Sequence, residues 1–469
     1  MVRQSNGTAR MVTAFACWLA LLAVGPATAQ SISVQEISPF VLGLIPVVRN
    51  GAVGGVSVDA AGVLSRAEED ASGRLRQAWL AALAPIDSDL AAASPLRKIS
   101  LRRLMAEIEA RRQAGDRLSD DVLLLAGLQG IRHVFVYPDA QDIVLAGPAG
   151  GWTVAEDGTI VGAAGGRPVL RLADLVVALR AADGPVGGAM SCSIDPTAEG
   201  LRRLRELIAR RRGRAAETAL AAIERALGPQ DITFRGVPPA SHFARVMAAA
   251  DLQMKRLAMG LEAAPIDELP SYLSLLNEGA DAGGFSDSTM PRWWLAPDYE
   301  PLLHDGDGLA WELRGPRVMA LAEGGRLGRE GRVAGAAAAD PAADRWAETM
   351  TGRYEELAAA MPVFAELRGS MDLAVVAALL IHRDLLAVAE CDLSLLLTAT
   401  ELDGEEFIAP RQTASVASVS KRDGGTLVAV SGGVDLDVRG LVEEMEVRES
   451  LQRDWAAAAP PAADRWWWD

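Results

Sequence analysis

The chain has 469 residues, of which 50% are hydrophobic and 23% are charged, and its formal net charge is −16 at pH 7. This composition indicates a globular protein, because disordered chains are poorer in hydrophobic residues. The negative charge argues against a nucleic-acid-binding protein, whose affinity depends on clustered basic residues that neutralise phosphates.

The N-terminus has the pattern of a secretory signal peptide. Arg3 and Arg10 precede an apolar segment at residues 11–24. Ala27 and Ala29 then fit an A-x-A cleavage site. The apolar segment is shorter than the ~20 residues that a membrane-spanning helix needs. We therefore predict that residues 1–29 are removed and that the mature protein is exported, either to the periplasm or out of the cell. After cleavage we expect no transmembrane segment, because the longest remaining apolar run, at residues 373–381, is too short.

The first part of the mature chain alternates strand and helix signals. In residues 54–64, apolar residues alternate with other residues on both sides of a turn signal, and this pattern predicts a small hairpin. Residues 131–161 predict a β-meander, since Asp157-Gly158 between apolar strands is a strong hairpin signal. Ser100 is the expected N-cap of a helix whose apolar residues follow at i, i+3, i+4 and i+7 spacing: Leu101, Leu104, Met105 and Ile108.

The alternation continues to residue 262. Asp195 is the expected N-cap of one helix, with Pro196 in its first turn, and Ser241 is expected to start another after a strand at residues 231–235. The order predicts an α/β or α+β fold, with a layered mixed sheet and amphipathic helices. We treat residues 30–262 as one N-terminal α/β region.

The remainder of the chain is divided by segments rich in Gly, Pro, Ala and Asp. Residues 263–289 are predicted to be a linker or loop, and residues 290–455 a C-terminal mixed region that is rich in helix and has a few strands. Within that region, residues 321–343 carry almost no periodic apolar signal. Residues 456–469 are predicted to be an Ala/Pro linker followed by a tryptophan-rich tail.

Several motifs together resemble an uncharacterised family of secreted proteins of planctomycete-type bacteria, domain of unknown function 1598. The resemblance implies an exported protein, and it brings no established activity, cofactor or catalytic residue. Residues 321–343 lie outside these motifs and are interpreted as a variable insertion. The motifs are LRKISLRRL from Leu96, HVFVYPDAQDIVLAGPAGGW from His133, GRPVLRLADLVVALR from Gly166, CSIDPTAEGL from Cys192, FARVMAAADLQMKRLAMGLE from Phe243, MPRWWLAPDYEPLL from Met290 and PVFAELRGSMDLAVVAALL from Pro362.

Cleavage of the signal peptide leaves two cysteines, Cys192 and Cys391. In an oxidising compartment they are candidates for one long-range disulfide, and the alternative is two separate buried thiols. Cys192 is also a candidate nucleophile, because the dipole of the helix predicted at Asp195 would lower the pKa of its thiol. A catalytic thiol needs a base, and no histidine lies near Cys192 in the sequence. We therefore assign no catalytic residue.

The sequence lacks the common motifs for bound metals, phosphates and serine nucleophiles. The histidines are widely separated, and C-x-x-C, H-E-x-x-H, phosphate-loop and G-x-S-x-G spacings do not occur. Residues 304–308 contain two aspartates but lack the later ligands of a calcium loop, so they are predicted to form a polar turn. No metal or cofactor is expected.

Lys255 and the tryptophans are the remaining candidates for contacts with a ligand or partner. Lys255 follows Asp251 at i, i+4 spacing, so it either forms an ion pair on a solvated helix face, which we favour, or lines an anion-binding cleft with Arg245 and Arg256. The aromatic candidates either stack on a partner or complete the core. They are Trp293, Trp294, Trp466, Trp467 and Trp468.

The tail has two possible roles. Docking of Trp466, Trp467 and Trp468 on the folded body would remove much apolar surface from water, and this is the outcome we expect. The alternative is a free aromatic tag that is recognised by export or anchoring machinery.

We expect a non-catalytic exported protein that binds or assembles with an unidentified partner in the cell envelope or outside the cell. The alternative is a secreted hydrolase whose active site is assembled from residues distant in the sequence. Convergence of a histidine with other titratable groups in a deep pocket would favour the enzyme. Exposed tryptophans over shallow clefts would favour partner binding.

Overall fold

The computed structural model describes residues 55–68, 70–210, 220–278, 288–289, 291–322, 326–328, 331–333, 340–420, 426–462 and 465–469. The predicted signal peptide at residues 1–29 lies outside the described residues. Parts of the predicted linker at residues 263–289 and of the predicted insertion at residues 321–343 also lie outside them. Those predictions stay predictions.

The strands come from every part of the described chain. They are β1 (Val56–Val58), β2 (Val63–Arg66), β3 (Ser94–Ser100), β4 (His133–Tyr137), β5 (Asp142–Ala149), β6 (Trp152–Val154), β7 (Ile160–Gly162), β8 (Met190–Pro196), β9 (Gln230–Arg235), β10 (Ser288–Thr289), β11 (Arg292–Asp298), β12 (Leu302–His304), β13 (Ala310–Glu312), β14 (Arg317–Ala322), β15 (Arg326–Gly328), β16 (Gly331–Val333), β17 (Gln412–Thr413), β18 (Ala417–Ser420), β19 (Thr426–Ala429), β20 (Ser431–Leu436), β21 (Met445–Val447) and β22 (Trp467–Trp468).

The helices alternate with these strands. They are α1 (Arg74–Ala82), α2 (Ser88–Ala91), α3 (Leu101–Ala114), α4 (Asp120–Leu123), α5 (Leu172–Asp183), α6 (Ala198–Arg210), α7 (Leu220–Leu227), α8 (His242–Ala258), α9 (Tyr272–Glu278), α10 (Pro341–Gly352), α11 (Tyr354–Ala360), α12 (Pro362–His382), α13 (Leu385–Ala389), α14 (Ser394–Thr398) and α15 (Leu451–Ala457). The predicted α/β or α+β class is confirmed.

Two mixed sheets organise the fold. The larger has eight strands in the order β1-β2-β17-β9-β8-β20-β11-β14, with parallel pairs at β2/β17 and β11/β20. The second has seven strands in the order β21-β12-β13-β4-β5-β3-β22, with one parallel pair at β12/β21. Both sheets therefore combine strands from the two regions that the sequence suggested.

Helix α8 packs against β8 and β20 of the larger sheet on one side and against α12 and α5 on the other. Nearly all of its residues are buried, and α12 is almost as deeply buried. The apolar run at residues 373–381 lies inside α12. In the described part of the chain, no helix combines the length and apolarity needed to cross a membrane.

Local signals explain where several elements begin. Ser100 caps α3, because its Oγ accepts a hydrogen bond from the N–H of Arg103 at 3.0 Å, as predicted. Ser241 caps α8 in the same way, accepting from Ala244 at 3.1 Å. The hairpin predicted at Asp157-Gly158 joins β6 and β7.

The helix after β8 begins later than its sequence signal indicated. Asp195 does not cap it, because Asp195 and Pro196 remain in β8 and pair with β9. The cap is Thr197 instead, whose Oγ1 accepts from the N–H of Gly200 at 2.9 Å. Pairing with a neighbouring strand therefore overrides the local capping preference of an Asp-Pro dipeptide.

Candidate functional site

A cavity of about 610 Å³ lies among the end of α1, the start of α4, the start of α5 and the segment from Glu401 to Phe407. Its apolar wall includes Leu83, Leu172 and Phe407. Small-molecule sites typically have volumes of ~300–1,000 Å³ and mainly apolar walls with a few polar groups. The size of the cavity therefore suits a small organic molecule.

His242 lines this cavity at the first residue of α8. Its Nδ1 lies 2.8 Å from Oδ2 of Asp174, which belongs to the first turn of α5, and both side chains are buried. With Asp174 ionised, the Nδ1–H group donates this hydrogen bond and fixes the orientation of the ring. Two helix N-termini thus bring a carboxylate and an imidazole together from distant positions in the sequence.

A second carboxylate faces the other nitrogen of the ring. Oε1 of Glu366, on α12, lies 3.6 Å from Nε2 of His242. Burial and the nearby Arg171 lower the pKa of His242, but the charge of Asp174 and the contacts with both carboxylates outweigh them, so the net effect raises that pKa. An imidazolium held between two carboxylates is therefore favoured.

A smaller cavity of about 10 Å³ adjoins the same three side chains and Ser370. Asp174 Oδ1, His242 Nε2 and Glu366 Oε2 are buried atoms without a hydrogen-bond partner in the structure. A space of this size can hold about one water molecule, and polar atoms around it would supply the hydrogen bonds that an internal water needs. The Nε2 atom thus faces this internal space and Glu366.

Arg245 lies one turn after His242 on α8 and is completely buried, with an exposed fraction of 0%. None of its three guanidinium nitrogens has a hydrogen-bond partner among the described residues. Its guanidinium carbon lies 5.0 Å from the centroid of the Phe407 ring, which lines the cavity. Burial lowers the pKa of Arg245 to about 10, and Glu405 opposes that change, so the group remains cationic at neutral pH.

The charged groups around the large cavity differ in their pairing. Glu401 pairs with Arg112 at 3.1 Å, and Asp403 pairs with Arg180. Asp120 accepts a hydrogen bond from the backbone N–H of Ala84. By contrast, no hydrogen bond or ion pair joins the guanidinium of the half-buried Arg171 to another residue in the described ranges.

The structure places Cys192 and Cys391 apart as free, buried thiols. Of the two alternatives, the structure shows two separate core thiols and not the candidate disulfide. Cys192 also fails as a nucleophile, because burial raises its pKa well above the ordinary value and the helix whose dipole was to activate it starts only at Ala198. Burial likewise raises the pKa of Cys391.

Lys255 lies neither on a solvated face nor in a cleft. Its exposed fraction is 0%, and its Nζ donates to Oδ2 of Asp251 at 2.8 Å and to the carbonyl oxygens of Ile194 and Gly432 at 3.0 Å each. The predicted pairing with Asp251 is correct, but the predicted exposure is wrong. All three ammonium protons have acceptors, one on α8 itself and one each on β8 and β20, so Lys255 is structural.

The tryptophans are largely core residues. Trp293 is fully buried and packs against Tyr272 and Trp346, whereas Trp294 is half-buried beneath the guanidinium of Arg292. The tail docks as expected: β22 pairs with β3, and Trp466 and Trp467 are buried while Trp468 is half-buried. These indoles therefore do not form an exposed aromatic surface.

Asp174 and Glu366 were not selected from the sequence, and Arg245 was considered only as a neighbour of Lys255. Asp174, Glu366 and Arg245 each interrupt an apolar helix face, and a charged residue in such a position is the signal that could have identified them. Their convergence depends on how α5, α8 and α12 pack together. In the residues that the structure describes, no group of three His, Cys, Asp or Glu side chains could hold a metal ion.

One segment of the chain matches a known protein family. Residues 192–272 match a family model described as "Protein of unknown function (DUF1598)", and this segment contains most of β8 and all of α8, with His242 and Arg245. No curated protein matches the chain, and no solved structure matches it. Over residues 192–272 the chain is therefore similar to an uncharacterised domain of unknown function.

Proposed function

We propose that this protein is exported and that it binds a small, partly apolar molecule in the cavity beside His242. The observation that carries the proposal is the cavity of about 610 Å³ with its mainly apolar wall and the buried His242. The signal-peptide pattern of residues 1–29 supports export.

A cavity ligand explains the site better than a partner bound on exposed aromatic residues. Trp293, Trp466 and Trp467 are occupied in the core, so their indoles are not available to a partner. The cavity, in contrast, offers apolar contact area together with groups that can orient a ligand. The proposal therefore keeps a binding function for the protein, and it assigns the binding to the cavity instead of to exposed tryptophans.

A secreted hydrolase is the second candidate, and the arrangement of Asp174, His242 and Glu366 favours it. A carboxylate that holds the imidazole through Nδ1 is the arrangement that general bases use. However, Nε2 is buried and faces Glu366, and the raised pKa of His242 favours the protonated ring, which cannot accept a proton. Binding is therefore the function that this geometry supports better.

The experiment uses Nile red, a neutral apolar dye, and a cavity-filling substitution. Ala82 lines the cavity at the end of α1, so Ala82→Trp should fill part of it, whereas Ala106→Trp adds the same side chain to an exposed position of α3. We expect Ala82→Trp to weaken dye binding by about tenfold or more, and Ala106→Trp to leave it unchanged. Equal dye affinity in all three proteins would contradict the proposed site.

The hydrolase is tested with p-nitrophenyl butyrate and His242→Gln. Ester hydrolysis that is present in the wild type and lost in His242→Gln, while Nile red still binds, would support the enzyme over the binding protein. Hydrolysis that persists in the variant would exclude His242 as the base.

A further inference from the structure

Arg245 is difficult to explain as a structural residue. A buried guanidinium normally forms several hydrogen bonds, because removing its charge from water is costly. Arg245 has an exposed fraction of 0% and no hydrogen bond from any of its three nitrogens. Lys255 on the same helix shows the contrast, since each of its three donors has an acceptor. The donors of Arg245 are therefore available for a group that is not part of the protein.

One aromatic ring lies between Arg245 and the cavity. The Phe407 ring stacks against the guanidinium at 5.0 Å, lies 6.1 Å from the His242 ring and forms part of the cavity wall. The backbone of Phe407 is held separately, because its N–H donates to the carbonyl oxygen of Ala240 at 2.9 Å. Arg245 is not among the residues that line the cavity, so contact between its guanidinium and a ligand would require the Phe407 side chain to rotate.

The hydrogen-bond donors that the protein leaves unused at this wall belong to guanidinium groups, although Glu405, which also lines the cavity, opposes part of the charge of Arg245. Glu401 and Asp403 are paired with arginines, and Asp120 accepts a backbone hydrogen bond. Arg171 also lines the cavity, and its guanidinium makes no hydrogen bond or ion pair with the described residues. A ligand with a negative group would therefore find unused guanidinium donors at this wall.

We propose that the ligand is an amphiphilic anion, an apolar body with one terminal carboxylate or phosphate monoester, and that Arg245 binds this anionic group when Phe407 turns aside. The inference rests on the proposed function of the cavity. The planar guanidinium provides paired donors that match both kinds of oxyanion. The apolar body would then occupy the cavity beside Leu83 and Leu172.

The test uses three probes with the same twelve-carbon chain: dodecanoate, dodecyl phosphate and dodecanol. Their affinities for the full mature chain are measured by isothermal titration calorimetry at neutral pH. We expect at least one anionic probe to bind about tenfold more tightly than dodecanol, and the tighter of the two identifies the anion. Arg245→Met should reduce this preference to about twofold or less. Arg256→Met is the matched control on α8, because Arg256 is partly exposed and paired with Glu262.

Stability without ligand provides an independent readout. Arg245→Met removes a buried charge that has no hydrogen bonds, so the variant should melt at or above the temperature of the wild type. A much lower melting temperature would show that Arg245 has a structural role and would overturn the proposal. Arg245→Lys serves as the second variant, and it should keep a reduced preference for the anion with an unchanged affinity for dodecanol.

The outcomes separate this inference from the proposed function. Equal binding of all three probes by the wild type, or an anion preference that survives in Arg245→Met, would overturn the role of Arg245 and leave the cavity as a binding site. Failure of all three probes and of Nile red to bind would overturn the proposed function and this inference together.

Discussion

Lys255→Met removes the ammonium group from a fully buried position and keeps a side chain of similar length. The variant leaves both oxygens of Asp251 without a charged partner, because Oδ1 has no hydrogen bond even in the wild type. It also removes the donors to the carbonyl oxygens of Ile194 and Gly432. The contacts among α8, β8 and β20 should therefore weaken at one point.

Breaking a buried ion pair by removing one partner costs ~3–5 kcal/mol. Burial raises the pKa of Asp251 to about 7 against the opposing effect of Lys255, so loss of Lys255 should raise this pKa further. A carboxyl group whose pKa is raised in the folded state stabilises that state below its unfolded pKa, and this contribution is lost as the pH rises through the folded pKa. Because the pKa of Asp251 is expected to be higher in Lys255→Met, the variant continues to lose this stabilisation at pH values where the wild type no longer does. The cost of Lys255→Met should therefore be larger at pH 8 than at pH 6.

Urea unfolding of the wild type, Lys255→Met, Asp251→Leu and the double variant measures this effect. The double variant removes both charges, so we expect it to be ~2 kcal/mol more stable than Lys255→Met alone. Arg256→Met, which breaks the partly exposed pair with Glu262, should cost less than ~1 kcal/mol. A double variant that loses the sum of the two single costs would refute the reasoning that the pair is buried and desolvated.

Three further outcomes are expected. Deletion of residues 465–469 should lower the unfolding free energy by ~3 kcal/mol, because the loss of two buried indoles is partly offset by the conformational entropy of five residues that no longer have to be ordered. An unchanged urea midpoint would contradict the docked tail. His242→Gln should lower the melting temperature more at pH 6 than at pH 8, because the raised pKa of His242 means that its protonated form stabilises the fold at low pH and this stabilisation is lost as the pH rises through that pKa. A larger drop in melting temperature at pH 8 than at pH 6 would rule out the imidazolium. Gly433→Ala should prevent folding, because its new Cβ would lie 1.9 Å from the carbonyl oxygen of Cys192. Gly440→Ala should fold, because there is open space around Gly440, and circular dichroism distinguishes the two variants.

The sequence predicted best what short-range interactions decide. Ser100 and Ser241 cap their helices, and the Asp157-Gly158 hairpin forms, because each depends on neighbouring residues. Lys255 shows the limit of this reasoning. Its i, i+4 partner follows from the helical repeat, but its burial depends on two strands that pack against α8.

The candidate site could not be predicted because its parts come from distant segments. His242, Asp174 and Glu366 belong to three helices, and no spacing within any one of them indicates that they meet. The sequence also suggested Arg245 only as a neighbour of Lys255. Both residues turned out to be buried, but only Lys255 has partners within the protein for all its donors.

The strand order of the larger sheet has a consequence for folding. Val63 in β2 pairs with Gln412 in β17, and Cys192 in β8 pairs with Val434 in β20, so neighbouring strands are separated by hundreds of residues. Closing such long loops costs entropy before the pairings stabilise the chain, and proteins dominated by such contacts fold slowly. Until β17 and β20 have paired with them, β2 and β8 each lack a neighbour in the sheet and expose strand edges that can pair with other chains. We therefore expect refolding yield to fall steeply as protein concentration rises.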